Sequence, residues 1–274
     1  REASCWARES GRDEVRREDV DQALKAKQDR EETYRRHLID IYKQNVFVVQ
    51  TSGKAVGQIN GLAVMGSFGV PMRVTITVSR AAGAGGIVSV DRNAGSTGKS
   101  FNKALGVVEG FLEGLFAKDK VFPAKLSVSY EQNYGGIDGD SATSTEIYSI
   151  LSALSGVGIG QNFAVTGSAD QFGNVQAIGG VNEKIEGYFE LAKSRGLTGE
   201  QGILIPKSNV QDLQLSAEVV EAVAKGQFHI YAVDHVSQGI EILTGVAYSE
   251  IVDKANANLQ SMRLAGMREQ IEAK

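Results

Sequence analysis

Two glycine-flanked segments of this chain carry a hydroxyl and an amine at positions where they could act as a nucleophile and its base. The first reads Gly-Asp-Ser-Ala at 139–142, and the second reads Gly-Gly-Val-Asn-Glu-Lys at 179–184. A serine hydroxyl needs a base to become a nucleophile, and a lysine that loses its proton easily can be that base. The residue types therefore predict that Ser141 and Lys184 form a serine–lysine peptidase pair rather than part of a binding module.

Ser141 stands at or just before the first turn of a predicted helix. Unpaired backbone N–H groups at a helix start favour negative charge, so they could stabilise an alkoxide or a developing oxyanion. The glycines at 135, 136 and 139 would let the backbone turn sharply and approach a substrate closely. The alternative is that Asp140 or Ser141 simply caps the helix, since both residue types are common N-caps.

Lys184 lies in the first turn of the next predicted helix, where the helix dipole disfavours a cation. Burial would also lower the pKa of this lysine, towards the range in which it can accept a proton. Lysines on helix surfaces are usually just solvated. An early-helix lysine runs against the usual charge preference, however, and such conflicts often mark function. The two segments together indicate chemistry more strongly than either does alone.

The sequence patterns around these residues predict strands and helices that do not strictly alternate, which indicates an α+β fold with a mixed sheet. β-Branched or alternating runs predict strands at 46–49, 56–64, 73–78, 87–90, 124–130, 203–205 and 229–233. Residues 163–168 and 175–178 predict a hairpin around the Gly-Asn pair at 173–174. Helical spacing predicts helices at 103–116, from Ser141 to about Gly156, and at 181–195, 217–224 and 236–243.

Composition divides the chain into three parts. Residues 1–44 are charge-dense and predict a helical appendage, with a short amphipathic helix around 19–24 and a second helix at 28–43. Residues 45–247 hold the β-rich domain that contains both candidate residues. Residues 248–274 form a polar tail that is predicted to be helical, with weak demands on the core.

The bulk composition excludes several classes of function. The 274 residues are 42% hydrophobic and 23% charged, as in ordinary globular proteins, and the net charge of −4 gives no electrostatic reason to expect nucleic acid. The one cysteine, Cys5, cannot form an internal disulfide, and no apolar run approaches the length that spans a bilayer. We therefore expect a cytoplasmic protein with no membrane partner. Because the chain begins with Arg1 and lacks an apolar leader, we expect it to be a piece of a longer protein.

Other motifs imitate known sites without meeting their requirements. The segment Gly-Ser-Thr-Gly-Lys-Ser at 95–100 imitates a phosphate-binding loop, but the position of the first glycine is Asn93, so a surface loop is expected. A serine–histidine–aspartate hydrolase would need one of the three histidines. The nucleophile-elbow pattern fails because Thr143 stands in place of its second glycine. No histidine pair or cysteine cluster has metal-ligand spacing, so no metal is expected.

The segment from Tyr134 to Lys184 closely resembles the proteolytic domain of Lon proteases. The resemblance rests on residues 139–142, on Ala-Val-Thr-Gly at 164–167 and on Ile-Gly-Gly-Val-Asn-Glu-Lys at 178–184, and it extends over roughly 45–245. The 43-residue interval between 141 and 184 matches the usual serine-to-lysine interval of that family. Asp140 stands where the commonest bacterial form has proline, as in the Lon-like branch that includes archaeal-type enzymes. Residues 1–24 look like the last helices of an AAA+ ATPase small domain.

The resemblance implies ATP-dependent proteolysis of unfolded or flexible proteins by a homo-oligomer, expected to be a hexameric ring. ATP and Mg²⁺ would serve the ATPase module of the full-length protein, and no cofactor is expected in this chain. Thr166 matches a family threonine near the lysine, so it could orient that lysine, or it could only fill a strand. Asp140 could pair with Lys184 in a resting state and raise the lysine pKa. The alternative to a peptidase is a catalytically silent, oligomerising scaffold domain.

Overall fold

Helix-favouring residues dominate the start of the chain, and there they form two helices, α1 (Glu2–Glu9) and α2 (Arg17–Lys43). The computed structural model describes residues 1–272 and divides the chain into two units, the first of which is Arg1–Phe47. The prediction of separate helices at 19–24 and 28–43 is wrong, because α2 is continuous. No glycine or proline interrupts this run of good helix formers.

A buried carboxylate fixes the start of α2. Asp19 accepts two hydrogen bonds from the Arg12 guanidinium, at 2.8 and 2.7 Å, and a third from the backbone N–H of Arg16. The hydrogen bonds from Arg12 are the main reason why the pKa of Asp19 is lowered. The first unit therefore carries its own local stabilisation.

The second unit starts at Val48 and contains the remaining elements. Its strands are β1 (Lys54–Ala55), β2 (Gln58–Met65), β3 (Phe68–Arg80), β4 (Gly86–Ser89), β5 (Ala124–Tyr130), β6 (Ile159–Gly160), β7 (Phe163–Val165), β8 (Ser168–Ala169), β9 (Val175–Gln176), β10 (Gly202–Pro206) and β11 (His229–Val233). Its α-helices are α3 (Val90–Asn93), α4 (Lys99–Phe116), α5 (Thr143–Ser155), α6 (Val181–Arg195), α7 (Ala217–Ala224), α8 (Val236–Thr244) and α9 (Tyr248–Glu272). A 3₁₀ helix covers Lys207–Asp212.

Seven strands form one mixed sheet in the order β11-β10-β7-β2-β3-β5-β4. The pairs β11–β10, β10–β7, β7–β2 and β5–β4 are parallel, whereas β2–β3 and β3–β5 are antiparallel. Strands β1 and β6, and strands β8 and β9, form two small antiparallel pairs. The prediction of an α+β fold with a mixed sheet is confirmed.

The sheet separates two hydrophobic cores. In β10, Leu204 belongs to the larger core, while Ile203 and Ile205 belong to the smaller one, as expected when alternate side chains point to opposite faces. Helices α4, α5, α8 and α9 contribute to the larger core, and α6 and α7 contribute to the smaller core. Helices α5 and α6, which follow the two candidate motifs, thus pack on opposite faces of the sheet.

Two local predictions need correction. Residues 46–49 form no strand, since the N–H of Val46 bonds to the end of α2 and the N–H of Val48 donates to the Gln132 side chain. Residues 163–168 form no hairpin with 175–178 as a whole. Strand β7 instead joins the large sheet, and the chain leaves that sheet at Thr166, so only β8 and β9 pair with each other.

The C-terminal segment is helical as predicted, but its demands on the core are not weak. Residues Ile251, Ala255 and Leu259 of α9 are fully buried at a spacing of four, so one face of this polar helix packs into the larger core. The last two residues of the predicted tail, 273 and 274, lie outside the described residues. Within residues 1–272, none of the helices combines the length and the apolar character needed to span a bilayer.

Candidate active site

Ser141 lies at the end of the loop that joins β5 to α5, which we call the serine loop (residues 131–142). The N-cap of α5 is Ala142, and no side chain caps this helix, so the interpretation of Asp140 or Ser141 as a capping residue is wrong. Gly139 has a φ of 100°, a left-handed conformation that favours glycine just before the candidate nucleophile. The Ser141 carbonyl accepts hydrogen bonds from the N–H of Gly167 and from the Thr166 hydroxyl.

Lys184 projects from the first turn of α6, as predicted. The helix is capped by Gly180 with a φ of 71°, and the N–H of Lys184 donates to the Gly180 carbonyl. Two further glycines, which no local pattern in the sequence marks, allow α6 to approach β3. A Cβ atom at Gly69 would overlap the backbone of Glu183 and Lys184, and one at Gly187 would overlap the Gly69 carbonyl.

The predicted juxtaposition of Ser141 and Lys184 is present. The Lys184 Nζ donates to Ser141 Oγ at 3.0 Å and to Thr166 Oγ1 at 3.1 Å. Lys184 is 3% exposed and Thr166 is 2% exposed. The two helices come from opposite faces of the sheet, and their N-termini meet beyond the carboxyl end of β7, where Thr166 follows Val165.

Thr166 does more than fill a strand, because it lies one residue past the end of β7. Its hydroxyl accepts a hydrogen bond from the Lys184 amine and donates one to the Ser141 carbonyl, so it joins the two candidate residues. Its backbone N–H donates to the Leu204 carbonyl, which holds the residue against the sheet. The threonine hydroxyl therefore links the lysine amine to the serine backbone, and its role in orienting that amine stays a prediction.

Burial lowers the pKa of Lys184 from 10.5 to about 8. The charges of Asp140 and Glu183 act in the opposite direction, since each of them stabilises the ammonium form, but burial is the larger cause. A substantial fraction of the amine is therefore unprotonated at mildly alkaline pH. This neutral amine can accept a proton from a hydroxyl that lies within hydrogen-bond distance.

Asp140 is exposed, and its carboxylate accepts a hydrogen bond from Ser168 Oγ at 2.9 Å. Its charge acts on Lys184 through space and raises the pKa of that amine. The pairing of Asp140 with Lys184 in a resting state stays a prediction. A cavity of about 260 Å³ adjoins Asp140 on the side of α4 and the β8–β9 hairpin, and Phe172 forms part of its lining.

A second aspartate, Asp138, anchors the serine loop and was not predicted. Its carboxylate accepts from the N–H of Phe101, in the first turn of α4, at 3.0 Å and from the N–H of Gly139 at 2.8 Å. These backbone bonds lower the pKa of Asp138, with the bond from Phe101 as the largest cause. The start of α4, which imitates a phosphate-binding loop in the sequence, thus holds a carboxylate of the chain itself. A Cβ at Gly98 would overlap that carboxylate.

Two of the three histidines make other contacts in the second unit, and the third lies in the first unit. His229 Nε2 bonds to the Gly199 carbonyl, and His235 caps α8 while its Nε2 contacts the Phe172 carbonyl. His37 is exposed on α2, in the first unit. The described part of the chain has no group of three or more histidine, cysteine, aspartate or glutamate residues arranged to hold a metal ion.

Comparison with known families places this geometry in context. Residues 35–245 match the family model described as the Lon protease (S16) C-terminal proteolytic domain. The chain belongs to this family. Residues 1–30 match the archaeal LonB AAA+ ATPase LID domain, in agreement with the predicted end of an AAA+ small domain.

Proteins from bacteria and archaea resemble the chain over most of its length. It is 36% identical over 237 residues to a "Putative Lon protease homolog" of Escherichia coli (strain K12). This alignment covers 84% of this chain and 40% of the relative. A "Putative Lon protease homolog" of Haemophilus influenzae is 40% identical over 222 residues, with 79% of this chain and 36% of the relative covered. An "Archaeal Lon protease" of Thermococcus kodakarensis is 31% identical over 248 residues, with 88% and 36% covered.

The chain thus spans 36–40% of the length of these three relatives. The family and the names of the relatives support a peptidase. Over the matched region the relatives include both bacterial and archaeal proteins, as expected for the Lon-like branch named above.

Proposed function

We propose that this chain is the proteolytic part of an ATP-dependent, Lon-like serine endopeptidase that uses Ser141 and Lys184 as a catalytic dyad. The observation that carries the proposal is the 3.0 Å hydrogen bond between the buried Lys184 amine and Ser141 Oγ. Burial lowers the pKa of this amine to about 8, which suits a general base near physiological pH.

In the proposed mechanism, Ser141 Oγ attacks the carbonyl carbon of the scissile peptide bond while Lys184 Nζ takes the serine proton. The resulting ammonium then gives a proton to the leaving nitrogen as the C–N bond breaks, which leaves an acyl ester on Ser141. A water molecule then attacks the ester carbonyl carbon while Lys184 Nζ takes a proton from it. The C–Oγ bond breaks, Lys184 returns the proton to Ser141 Oγ, and the fragment leaves with its new carboxyl end. Thr166 keeps the amine directed at Ser141 throughout this cycle.

The start of α5 would stabilise the negative charge that develops on the carbonyl oxygen. The N–H of Thr143 already donates to the Asp140 carbonyl, and the N–H of Ser144 donates to the Gly167 carbonyl. We assign the preceding N–H groups, those of Ser141 and Ala142, as the oxyanion donors. Their position at a helix N-terminus favours an anion.

The wider assignments follow the family. The substrates would be unfolded or flexible proteins, the assembly a homo-oligomeric ring of six chains, and the setting the cytoplasm. ATP and Mg²⁺ would act in an ATPase module of the full-length protein. The match of residues 1–30 with an AAA+ ATPase LID domain supports the presence of such a module. No cofactor is proposed for the chain itself.

The decisive experiment compares cleavage of a fluorogenic peptide, and of casein with ATP in the full-length protein, by the parent and by Ser141→Ala. Ser208→Ala, a change at an exposed serine, is the matched control. We expect Ser141→Ala to reduce cleavage to background and Ser208→Ala to cleave like the parent. Equal cleavage by parent and Ser141→Ala would reject the dyad, and an inactive parent that still forms rings would support the silent scaffold.

A further inference from the structure

A glutamate that the proposed mechanism does not use is buried one turn beyond Ser141. Glu146 lies in the first turn of α5 and is 1% exposed. Its Oε1 accepts a hydrogen bond from the Tyr130 hydroxyl at 2.9 Å, while its Oε2 is buried without a hydrogen-bond partner among the described residues. A buried carboxyl with one unpaired oxygen costs free energy, so its presence here calls for an explanation.

The Tyr130–Glu146 hydrogen bond closes the base of the serine loop. Tyr130 is the last residue of β5, and Glu146 follows the start of α5, so the bond joins the two elements between which the serine loop runs. Asp91 of α3 supports the same base, since it accepts from the N–H of Tyr130 at 2.9 Å and from Asn133 Nδ2 at 3.3 Å. The position of Ser141 therefore depends on contacts at both ends of its loop.

We propose that Glu146 is a positioning residue for Ser141, which it serves as an uncharged carboxylic acid that holds the Tyr130 hydroxyl and so closes the base of the serine loop. This inference rests on the proposed peptidase function, because it concerns the placement of the nucleophile. It assigns no chemical step to Glu146, which contacts neither Ser141 Oγ nor Lys184 Nζ through any described hydrogen bond.

The surroundings of Glu146 favour its neutral form. The pKa of Glu146 is raised from 4.5 to about 8, and burial is the largest cause. The hydrogen bond from Tyr130 acts in the opposite direction, and the charge of Asp91 acts in the same direction as burial. The charged or titratable groups that act on this carboxyl in the described structure are thus Tyr130 on β5 and Asp91 on α3, and neither is a cation. Burial raises the pKa of Tyr130 well above 10, so its hydroxyl stays protonated and continues to donate.

Loss of the Glu146 proton would place a second negative charge beside Asp91, and no cation among the described groups that act on Glu146 would offset it. The carboxylate would then be driven towards water, which the base of the serine loop excludes. We therefore expect peptidase activity to fall at alkaline pH as Glu146 ionises, although the same rise in pH makes the Lys184 amine neutral.

The test uses the profile of kcat against pH for Glu146→Gln, Glu146→Ala and Tyr130→Phe, with Glu113→Gln on the exposed side of α4 as the matched control. Glutamine is uncharged at every pH and can still accept from Tyr130, so Glu146→Gln should lose the alkaline decline and keep more activity than Glu146→Ala. Tyr130→Phe should lower kcat by about 3–10-fold with little change in KM, as expected for the loss of one hydrogen bond. The control should keep the parental profile.

An alkaline decline that is the same in the parent and in Glu146→Gln would overturn the inference, while background cleavage by Ser141→Ala would leave the dyad intact. If Glu146→Gln fails to fold, Tyr130→Phe decides: kcat equal to that of the parent refutes the positioning role. Loss of cleavage in every variant together with an active Ser141→Ala would instead point to failure of the proposed function.

Discussion

Lys184 and Glu146 are two buried ionisable residues on opposite sides of the sheet, and burial drives both towards their neutral forms. The pKa of the lysine is lowered to about 8, and that of the glutamate is raised to about 8. Neighbouring carboxylates oppose the effect of burial at Lys184, whereas Asp91 adds to it at Glu146. The same physical cause therefore favours a neutral amine at one residue and a neutral carboxylic acid at the other.

The largest effect on activity is expected when residue 184 can no longer lose its proton. Lys184→Arg keeps a cation that cannot lose its proton at accessible pH, so we expect kcat to fall by about 10²–10⁴-fold, the usual contribution of a general base. Peptide hydrolysis measures the loss, with Lys207→Arg at an exposed salt bridge as the control. Comparable activity of Lys184→Arg and the parent would show that another group removes the serine proton.

Moving the lysine without changing it tests whether position matters as much as pKa. Gly69→Ala would force the added methyl group into the backbone of Glu183 and Lys184. We expect a loss of about 1–3 kcal/mol in the free energy of unfolding, as for other overpacked sites, and a fall in kcat/KM of up to about 10²-fold. Gly106→Ala, where an added Cβ meets open space on α4, is the control and should not destabilise the protein. Full activity of Gly69→Ala would show that the close contact between Gly69 and the backbone of Lys184 is not needed to position the lysine.

Thr166→Val keeps the shape of the threonine but removes the hydroxyl that joins the lysine to the serine backbone. We expect kcat to fall by about tenfold, which corresponds to one net hydrogen bond. Thr166→Ser should recover most of the activity, since it restores the hydroxyl. If valine and serine at this position behave alike, the threonine does not orient the amine.

The last predictions concern stability rather than catalysis, and the two residues should change it in opposite directions as pH rises. Between pH 4.5 and about 8 the folded state binds the Glu146 proton more tightly than the unfolded state, so this residue makes the free energy of unfolding fall as pH rises. Between about 8 and 10.5 the unfolded state binds the Lys184 proton more tightly, so that residue makes the free energy of unfolding rise with pH.

Each contribution has a maximal slope of about 1.4 kcal/mol per pH unit. Urea unfolding at several pH values should show the first slope in the parent but not in Glu146→Gln, and the second in the parent but not in Lys184→Met. A slope that survives its own substitution would mean that a different group titrates in that range.

Much of the site could be predicted from sequence because its signals are local. The glycines around Ser141 and Lys184, the helix starts that follow them and the 43-residue interval are all readable without a fold. Glu146 could not be found in this way, since a glutamate in the first turn of a helix is normally an exposed residue that complements the helix dipole. Its burial depends on β5 and α3, which the pattern of α5 does not reveal.

The roles of Gly69 and Asp138 could not be predicted from the sequence for a similar reason. A glycine at the start of a strand reads as a turn, and only the packing of α6 on β3 shows that it makes room for the backbone of Lys184. An aspartate between glycines reads as a loop residue, and only the position of α4 shows that it holds a helix N-terminus. Continuous α2 was missed because charged residues weaken the apolar periodicity by which helices are recognised, although they favour helix formation.

The sequence by itself determined which residues have suitable chemistry, where helices α5 and α6 begin and to which family the proteolytic region is similar. Such properties depend on backbone preferences and side-chain types within a few residues of each position. The tertiary structure alone decided that helices on opposite faces of the sheet bring an amine and a hydroxyl to 3.0 Å, and that this amine is buried. Proximity and desolvation arise from residues distant in the chain, and these two quantities set the pKa of Lys184.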